Sequence, residues 1–259
     1  MKTKTILEKI VNFKKVEIEK RKKFTPLESF IDKINEEKRD FKKSLKNKNI
    51  TIISEIKKHS PSRGVLRENF DYISIAKEYE KGGASAISIL TDAKFFWGRN
   101  EYLYEVKTEV NLPVLRKEFI IDEYQIYQSA HIGADAILLI AKILEFKQLE
   151  KFVDLAHKLK MACLVEVDSQ KELQKALSTP AEIIGINNRN LDTFRTSIEK
   201  SLNLKKFIPE DRISVSESGI KKREDIIELE KADFDSVLIG EALIKEKEIG
   251  KKLQELLGK

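Results

Sequence analysis

From Thr51 onward the chain alternates short β-branched runs with stretches of helical periodicity, and this repeated switch of period constrains the fold more than any other feature. Candidate strands run Thr51 to Lys57, Ser85 to Thr91, Pro113 to Lys117, Ala134 to Ile140, Ala162 to Val167, Ile183 to Asn187, Ile213 to Glu217 and Ser236 to Ile239. Between them the pattern predicts helices over Tyr72 to Lys81, Glu123 to Ile132, Phe146 to Lys160, Gln170 to Ser178, Lys222 to Lys231 and Lys245 to Leu257. The second and sixth connections are partly helical. Strands separated by helices pair in parallel, and eight such units fit a closed (β/α)8 barrel, the TIM barrel of the α/β class. An open doubly wound sheet would carry a glycine-rich dinucleotide turn after its first strand, and none is present.

Residues 1 to about 50 precede the first strand. Ile6, Ile10, Val11 and Phe13 follow helical spacing, and Pro26 and Phe30 mark a second short helix. A Lys-rich stretch this short has too little apolar surface to fold alone. It is expected as an N-terminal helical extension, a lid or cap packed on the barrel. The domain division is therefore 1–50 for the extension and 51–259 for a single catalytic barrel.

Composition narrows the function class. Hydrophobic residues at 41% beside 36% charged residues describe a soluble globular chain. The 49 Lys and Arg and 43 Asp and Glu are interleaved, so the net +6 forms no basic face and no nucleic-acid partner is expected. No segment has the roughly 18 apolar residues of a membrane span, and the N-terminus does not read as a leader. A cytoplasmic protein without a membrane partner is expected. The one cysteine, Cys163, sits between Ala162 and Leu164 and reads as a buried hydrophobe in a reducing compartment. His59, His131 and His157 lack metal-ligand spacing.

In a (β/α)8 barrel the active site forms at the C-terminal strand ends. Glu55 and Lys57 alternate with Ile56 and point to one side, Lys117 ends the third strand, and Glu166 lies near the end of the fifth. Asn187 and Arg189 end the sixth, Glu217, Ser218 and Gly219 the seventh, and Gly240 and Glu241 the eighth. Branched apolar residues usually fill a barrel, and buried charges are costly unless they pair or act. Lys57 and Lys117, the carboxylates of Glu55, Glu166 and Glu217, and Arg189 converging there point to acid–base chemistry on an anionic substrate. Gly219 and Gly240 let backbone N–H groups approach a phosphate.

These strand ends resemble one family. Ser54-Glu55-Ile56-Lys57-Lys58-His59-Ser60-Pro61-Ser62 resembles the first-strand signature of indole-3-glycerol phosphate synthases. Leu90-Thr91-Asp92 with Phe95-Phe96-Trp97-Gly98, Leu115-Arg116-Lys117-Glu118-Phe119-Ile120 and Leu164-Val165-Glu166-Val167 are similar to the second, third and fifth. Ile184-Gly185-Ile186-Asn187-Asn188-Arg189-Asn190-Leu191 and Val215-Ser216-Glu217-Ser218-Gly219-Ile220 match the sixth and seventh. The resemblance spans about Ile52 to Leu243. Glu118, where aspartate is expected, and Ala242, where some relatives have serine, depart from it.

The resemblance implies ring closure, decarboxylation and dehydration of 1-(2-carboxyphenylamino)-1-deoxyribulose 5-phosphate to indole-3-glycerol phosphate, with no cofactor and no metal. It implies Lys117 as the acid on the ketone oxygen, with Glu166, Lys57 and Glu55 sharing the later proton transfers. Lys57 is alternatively a ligand of the anthranilate carboxylate, and Arg189 either holds that anionic region or orients Glu166. Asn187 and Ser218 would position hydroxyls, and Glu217 would set the charge of neighbouring lysines. The phosphate is expected on Ser60 with backbone N–H groups near Gly219, Gly240 and Glu241. Phe96, Phe119, Leu138, Leu191 and Leu238 are expected to wall the aromatic ring. The expected partner is this phosphorylated small molecule, bound by a monomer open to transient contact with other tryptophan-pathway enzymes. The nearest rival, another phosphate-binding barrel working as the preceding isomerase, would use a Cys/Asp pair.

Overall fold

A computed structural model describes residues 5–34, 37–190 and 196–259. Among them eight strands close a parallel barrel: β1 Thr51–Ile56, β2 Ala86–Leu90, β3 Val114–Lys117, β4 Ala136–Ile140, β5 Ala162–Val167, β6 Ile183–Asn187, β7 Ile213–Glu217 and β8 Ser236–Ile239. Each pairs with its sequence neighbour, and β8 returns to β1 through Thr51↔Ser236 to Ser54↔Ile239. Closure leaves the barrel sheet no free edge.

Side chains alternate across a strand, so one set faces the barrel axis and the other the helices. Ile53, Leu115, Ala136, Leu138, Leu164, Ile183, Ile213, Val215 and Leu238 form an inner apolar cluster. Two residues onward along the same faces the series turns polar, at Glu55, Lys117, Glu166 and Glu217. The charged site is thus the upper layer of the barrel interior. The outward residues, such as Ile52, Ile87, Ile137, Val165 and Ile184, pack on the helices.

The extension covers both ends of the barrel. Helix α1, Ile6–Phe24, opens with a reciprocal cap in which the Thr5 hydroxyl accepts from the Glu8 N–H and the Glu8 carboxylate accepts from the Thr5 N–H. Its buried face is Leu7, Ile10, Lys14 and Ile18. The helix expected from Ile6, Ile10, Val11 and Phe13 is present, with Phe13 exposed and Val11 half-buried. The second helix expected near Pro26 is two 3₁₀ turns, Leu27–Ser29 and Ile31–Lys33. Helix α2, Phe41–Leu45, puts Phe41 and Leu45 into the inner cluster and closes the N-terminal end of the barrel.

The outer ring comprises α3 Tyr72–Gly82, α4 Ala93–Phe96, α5 Asn100–Glu109, α6 Glu123–His131, α7 Phe146–Lys158, α8 Gln170–Leu177, α9 Glu199–Lys205 and α10 Arg223–Lys231. A separate turn, α11 Glu241–Ile244, follows β8, and the helix expected over Lys245 to Leu257 begins only at Ile249, as α12 Ile249–Leu257. The first is a single turn closed on the Gly240 carbonyl. The second packs on α3 at a small-residue crossing: a Cβ on Gly82 would stand 3.3 Å from the Gly250 Cα. Cys163 is buried, as its apolar neighbours predict.

Candidate active site

The polar upper layer opens into a cavity of about 450 Å³ at the C-terminal strand ends. Glu55, Lys57, Ser60, Phe96, Lys117, Phe119, Leu138, Glu166, Asn187, Arg189, Glu217, Ser218, Gly219, Leu238, Gly240 and Glu241 all line it. Every residue predicted for the site is therefore brought to one cavity except Leu191, which lies outside the described residues.

Lys117 is the centre of the arrangement. Its ammonium is ion-paired with Glu217 and lies 3.3 Å from Glu166. Lys57 pairs with Glu55. Burial works against the Lys117 ammonium, but the Glu217, Glu166 and Glu55 carboxylates outweigh it and hold the group above the ordinary lysine range. Burial also pushes the Glu217 carboxyl up; Lys117 offsets only part of that, the Glu166 and Glu55 charges add to it, and the group settles at about 7. With Lys57 committed to Glu55, the Lys117 ammonium alone cannot neutralise both Glu217 and Glu166. Glu55 is the opposite case: burial pushes it up, but Lys57 and then Lys117 prevail and hold it below the usual carboxylate range.

Backbone and small residues fix these carboxylates. The Tyr79 hydroxyl of α3 donates to the Glu55 carbonyl at 3.0 Å and pins the end of β1. A Cβ on Gly185 would collide with the Glu217 carboxylate, and one on Gly240 with that of Glu55. Gly240 is thus required by a neighbouring carboxylate, a steric reason distinct from the phosphate approach read from sequence. Asn187 donates to Glu166 at 3.1 Å and accepts the Arg189 N–H at 2.9 Å. Arg189 thus reaches Glu166 through Asn187, while its guanidinium lies 3.7 Å from Glu241. Ser218 and Gly219 both adopt left-handed backbone, φ 68° and 84°. For Ser218 this is a strained conformation of the kind held at functional turns. Asn188 clamps it by donating to the Ser218 carbonyl at 3.0 Å.

The rim is cationic. Ser60 and Ser62 place their hydroxyls 3.1 Å apart on a small hairpin after β1. Arg63, Arg189, Lys221, Lys245 and Lys252 line the opening. Expected only to present its N–H, Glu241 also commits its carboxylate, to Lys245 at 2.6 Å, Arg63 at 3.5 Å and Arg189 at 3.7 Å. Phe96 and Phe119 face one another at 5.9 Å between ring centres, forming an apolar slot with Leu138 and Leu238. His59 is structural: its Nδ1 contacts the Phe95 carbonyl at 2.8 Å and its ring stacks on Trp97. Among the described residues no three His, Cys, Asp or Glu side chains group as a metal would require.

Sequence reasoning missed Ile6, Leu7 and Ile10, which bring the extension into the cavity wall. The available signal was the spacing Leu7, Ile10, Lys14, Ile18, broken by a lysine.

Comparison with known proteins finds relatives along nearly the whole chain. A family model described as indole-3-glycerol phosphate synthase matches residues 7–256. The indole-3-glycerol phosphate synthase of Legionella pneumophila (strain Lens) is 48% identical over 254 residues, covering 98% of each chain. That of Caldanaerobacter subterraneus subsp. tengcongensis is 49% identical over 240 residues, 93% of each. Among solved structures, a mutant tryptophan synthase alpha-subunit from Pyrococcus furiosus has TM-score 0.62 at 16% identity, covering 81% of this chain and 98% of that one. Thiamine phosphate pyrophosphorylase from Pyrococcus furiosus has TM-score 0.59 at 16% identity, covering 81% and 94%. At such identity the likeness is one of fold.

Proposed function

This chain belongs to the indole-3-glycerol phosphate synthase family, and from that premise we propose how the mouth of its barrel carries out the family reaction. Membership makes it a decarboxylating carbon–carbon lyase of tryptophan biosynthesis, acting on a phosphorylated small molecule. The observation that carries the site assignment is Lys117 held between Glu217 and Glu166 inside the cavity.

The anthranilate ring occupies the Phe96/Phe119 slot, and the phosphate lies at the Ser60, Gly219, Gly240 and Glu241 backbone among the rim cations. The ring carbon bearing the carboxylate attacks the ketone carbon, and the Lys117 ammonium passes a proton to the ketone oxygen as its charge develops. That transfer is downhill once the alkoxide forms, because an alkoxide is more basic than an amine. Carbon dioxide then leaves, and its bonding electron pair restores the aromatic ring. The new hydroxyl departs as water with a proton from Lys57, whose charge Glu55 balances and which regains from solvent the one proton that loss of carbon dioxide from a carboxylate consumes. Glu166 takes the proton from the neighbouring carbon and closes the indole double bond. Glu166 is 3.3 Å from Lys117, close enough for that proton to be returned. Asn187 and Ser218 position substrate hydroxyls, and Glu217 keeps Lys117 charged and aimed.

The catalytic domain is residues 51–259, with the extension packed on it, acting as a monomer with transient contacts to enzymes of the same pathway. No helix among the described residues is long and apolar enough to cross a membrane.

Steady-state kinetics of Arg189→Ala test the anionic subsite. KM should rise about tenfold or more, roughly 1.4 kcal/mol, with a lower kcat. Wild-type constants would remove Arg189 from the site.

A further inference from the structure

Helix α1 presents one face to the barrel, and that face carries a lysine. Lys14 is 1% exposed, on the same face as Leu7 and Ile10, which line the cavity. Its ammonium meets Glu17 at 2.8 Å on its own helix, and Asp92 at 2.9 Å and Glu118 at 3.0 Å on the barrel. A buried ammonium persists only when it is paired. Here burial opposes the charged form, yet Glu118, Asp92 and Glu17 together outweigh it and raise the group above the ordinary lysine range.

Both barrel carboxylates also hold the aromatic slot. Asp92 follows β2 and accepts the N–H groups of Phe95 at 2.6 Å and Phe96 at 3.1 Å, which starts α4. Glu118 follows Lys117 directly and accepts the Phe119 N–H at 2.8 Å and the Thr91 hydroxyl at 3.1 Å. One ammonium therefore bridges the two groups that set the backbones of Phe96 and Phe119. An apolar residue of equal length would still pack α1 but would leave Asp92 buried without its ion-pair partner and Glu118 with only the charge of Arg116 nearby.

We propose that Lys14 is a positioning residue for the aromatic half of the substrate, fastening α1 to Asp92 and Glu118 and so fixing the Phe96/Phe119 slot beneath Leu7 and Ile10. The inference rests on the function proposed above and adds that docking of the extension and the width of the ring-binding slot are one electrostatic unit.

Three variants and two readouts test it. Trp97, the one tryptophan of the chain, ends α4 and stacks on His59 at 4.5 Å, so its fluorescence reports the α4 end without substrate. Lys14→Met should raise KM tenfold or more with kcat reduced less than threefold, and should change the acrylamide quenching of Trp97. Lys14→Arg, which keeps the charge, should restore most of both. Ile18→Ala loosens α1 on the Phe30 and Tyr124 side, away from the carboxylates. It should lower the denaturation midpoint and leave KM and Trp97 quenching near wild type. Should Lys14→Met not fold, Lys14→Gln replaces it with the same expected changes. Wild-type KM and quenching in the charge-removing variant, or the same KM change in Ile18→Ala, would overturn the proposal. If folded wild-type protein turns nothing over, the activity reading fails by itself, while wild-type Trp97 quenching in Lys14→Met still sinks the coupling.

Discussion

Replacing Lys117 by methionine removes one positive charge from a cluster of three buried carboxylates, and the consequence is strongly dependent on pH. Glu217 is 1% exposed and settles at about 7 with Lys117 beside it. Its folded value stands above that of the unfolded chain, so the folded state holds the proton more tightly and stability from this group declines as pH rises from about 4.3 to 7. Losing an adjacent opposite charge raises a carboxyl by about 1–3 further units. Below about pH 6 Glu217 is protonated in both proteins and the variant loses almost nothing from this group. Above 7 the loss grows by about 1.4 kcal/mol per pH unit and levels off at about 1.4–4 kcal/mol near pH 9 to 10. That ceiling agrees with about 3–5 kcal/mol for breaking a buried pair by removing one partner. Turnover should fall by about 10²–10⁴ at every pH, the usual worth of a positioned acid. Urea unfolding at pH 6 and pH 9 with turnover at both is the assay. An equal stability loss at the two pH values would refute Glu217 as the group that takes up the proton, and retained turnover would remove Lys117 as the acid.

The same cluster predicts that wild-type kcat/KM rises as pH passes up through about 7, because ionised Glu217 holds Lys117 in place; the inflection belongs to the cluster and should move in Glu217→Gln, and a flat wild-type profile would contradict this. Gly185→Ala puts a Cβ against the Glu217 carboxylate and 3.1 Å from Leu164, and should lower kcat/KM about 100-fold while the protein stays folded; a loss under threefold would show that Glu217 can shift freely. Phe41→Ala empties the plug at the far end of the barrel and should cost about 3–5 kcal/mol in urea unfolding with KM little changed; a change in KM instead would mean that α2 acts on the site.

The barrel was legible because its strands repeat one pattern. Strands β5 to β8 have the bounds that their β-branched runs predict, and alternation along each strand puts Glu55, Lys57, Lys117, Glu166 and Glu217 on the interior. What escaped was decided by tertiary pairing. Lys14 looks like a surface residue until Asp92 and Glu118, which are distant in sequence, close around it. Glu118 stood out only as an aspartate position with a longer side chain, and its reach to Lys14 and Thr91 is invisible without coordinates. Local periodicity started the last helix at Lys245 because Lys245 to Glu248 suit a helix; α11, closed on Gly240, ends at Ile244, and α12 packs on α3 only from Ile249. The Glu55 carboxylate that would collide with a Cβ on Gly240 is a second reason for that glycine, and a steric neighbour across a barrel leaves no trace in sequence.

The most direct test of the central claim is indole fluorescence after the chelator-dialysed protein is mixed with 1-(2-carboxyphenylamino)-1-deoxyribulose 5-phosphate. The account predicts sustained formation of indole-3-glycerol phosphate with one carbon dioxide released per indole. A folded protein that binds the substrate and releases neither product would contradict it.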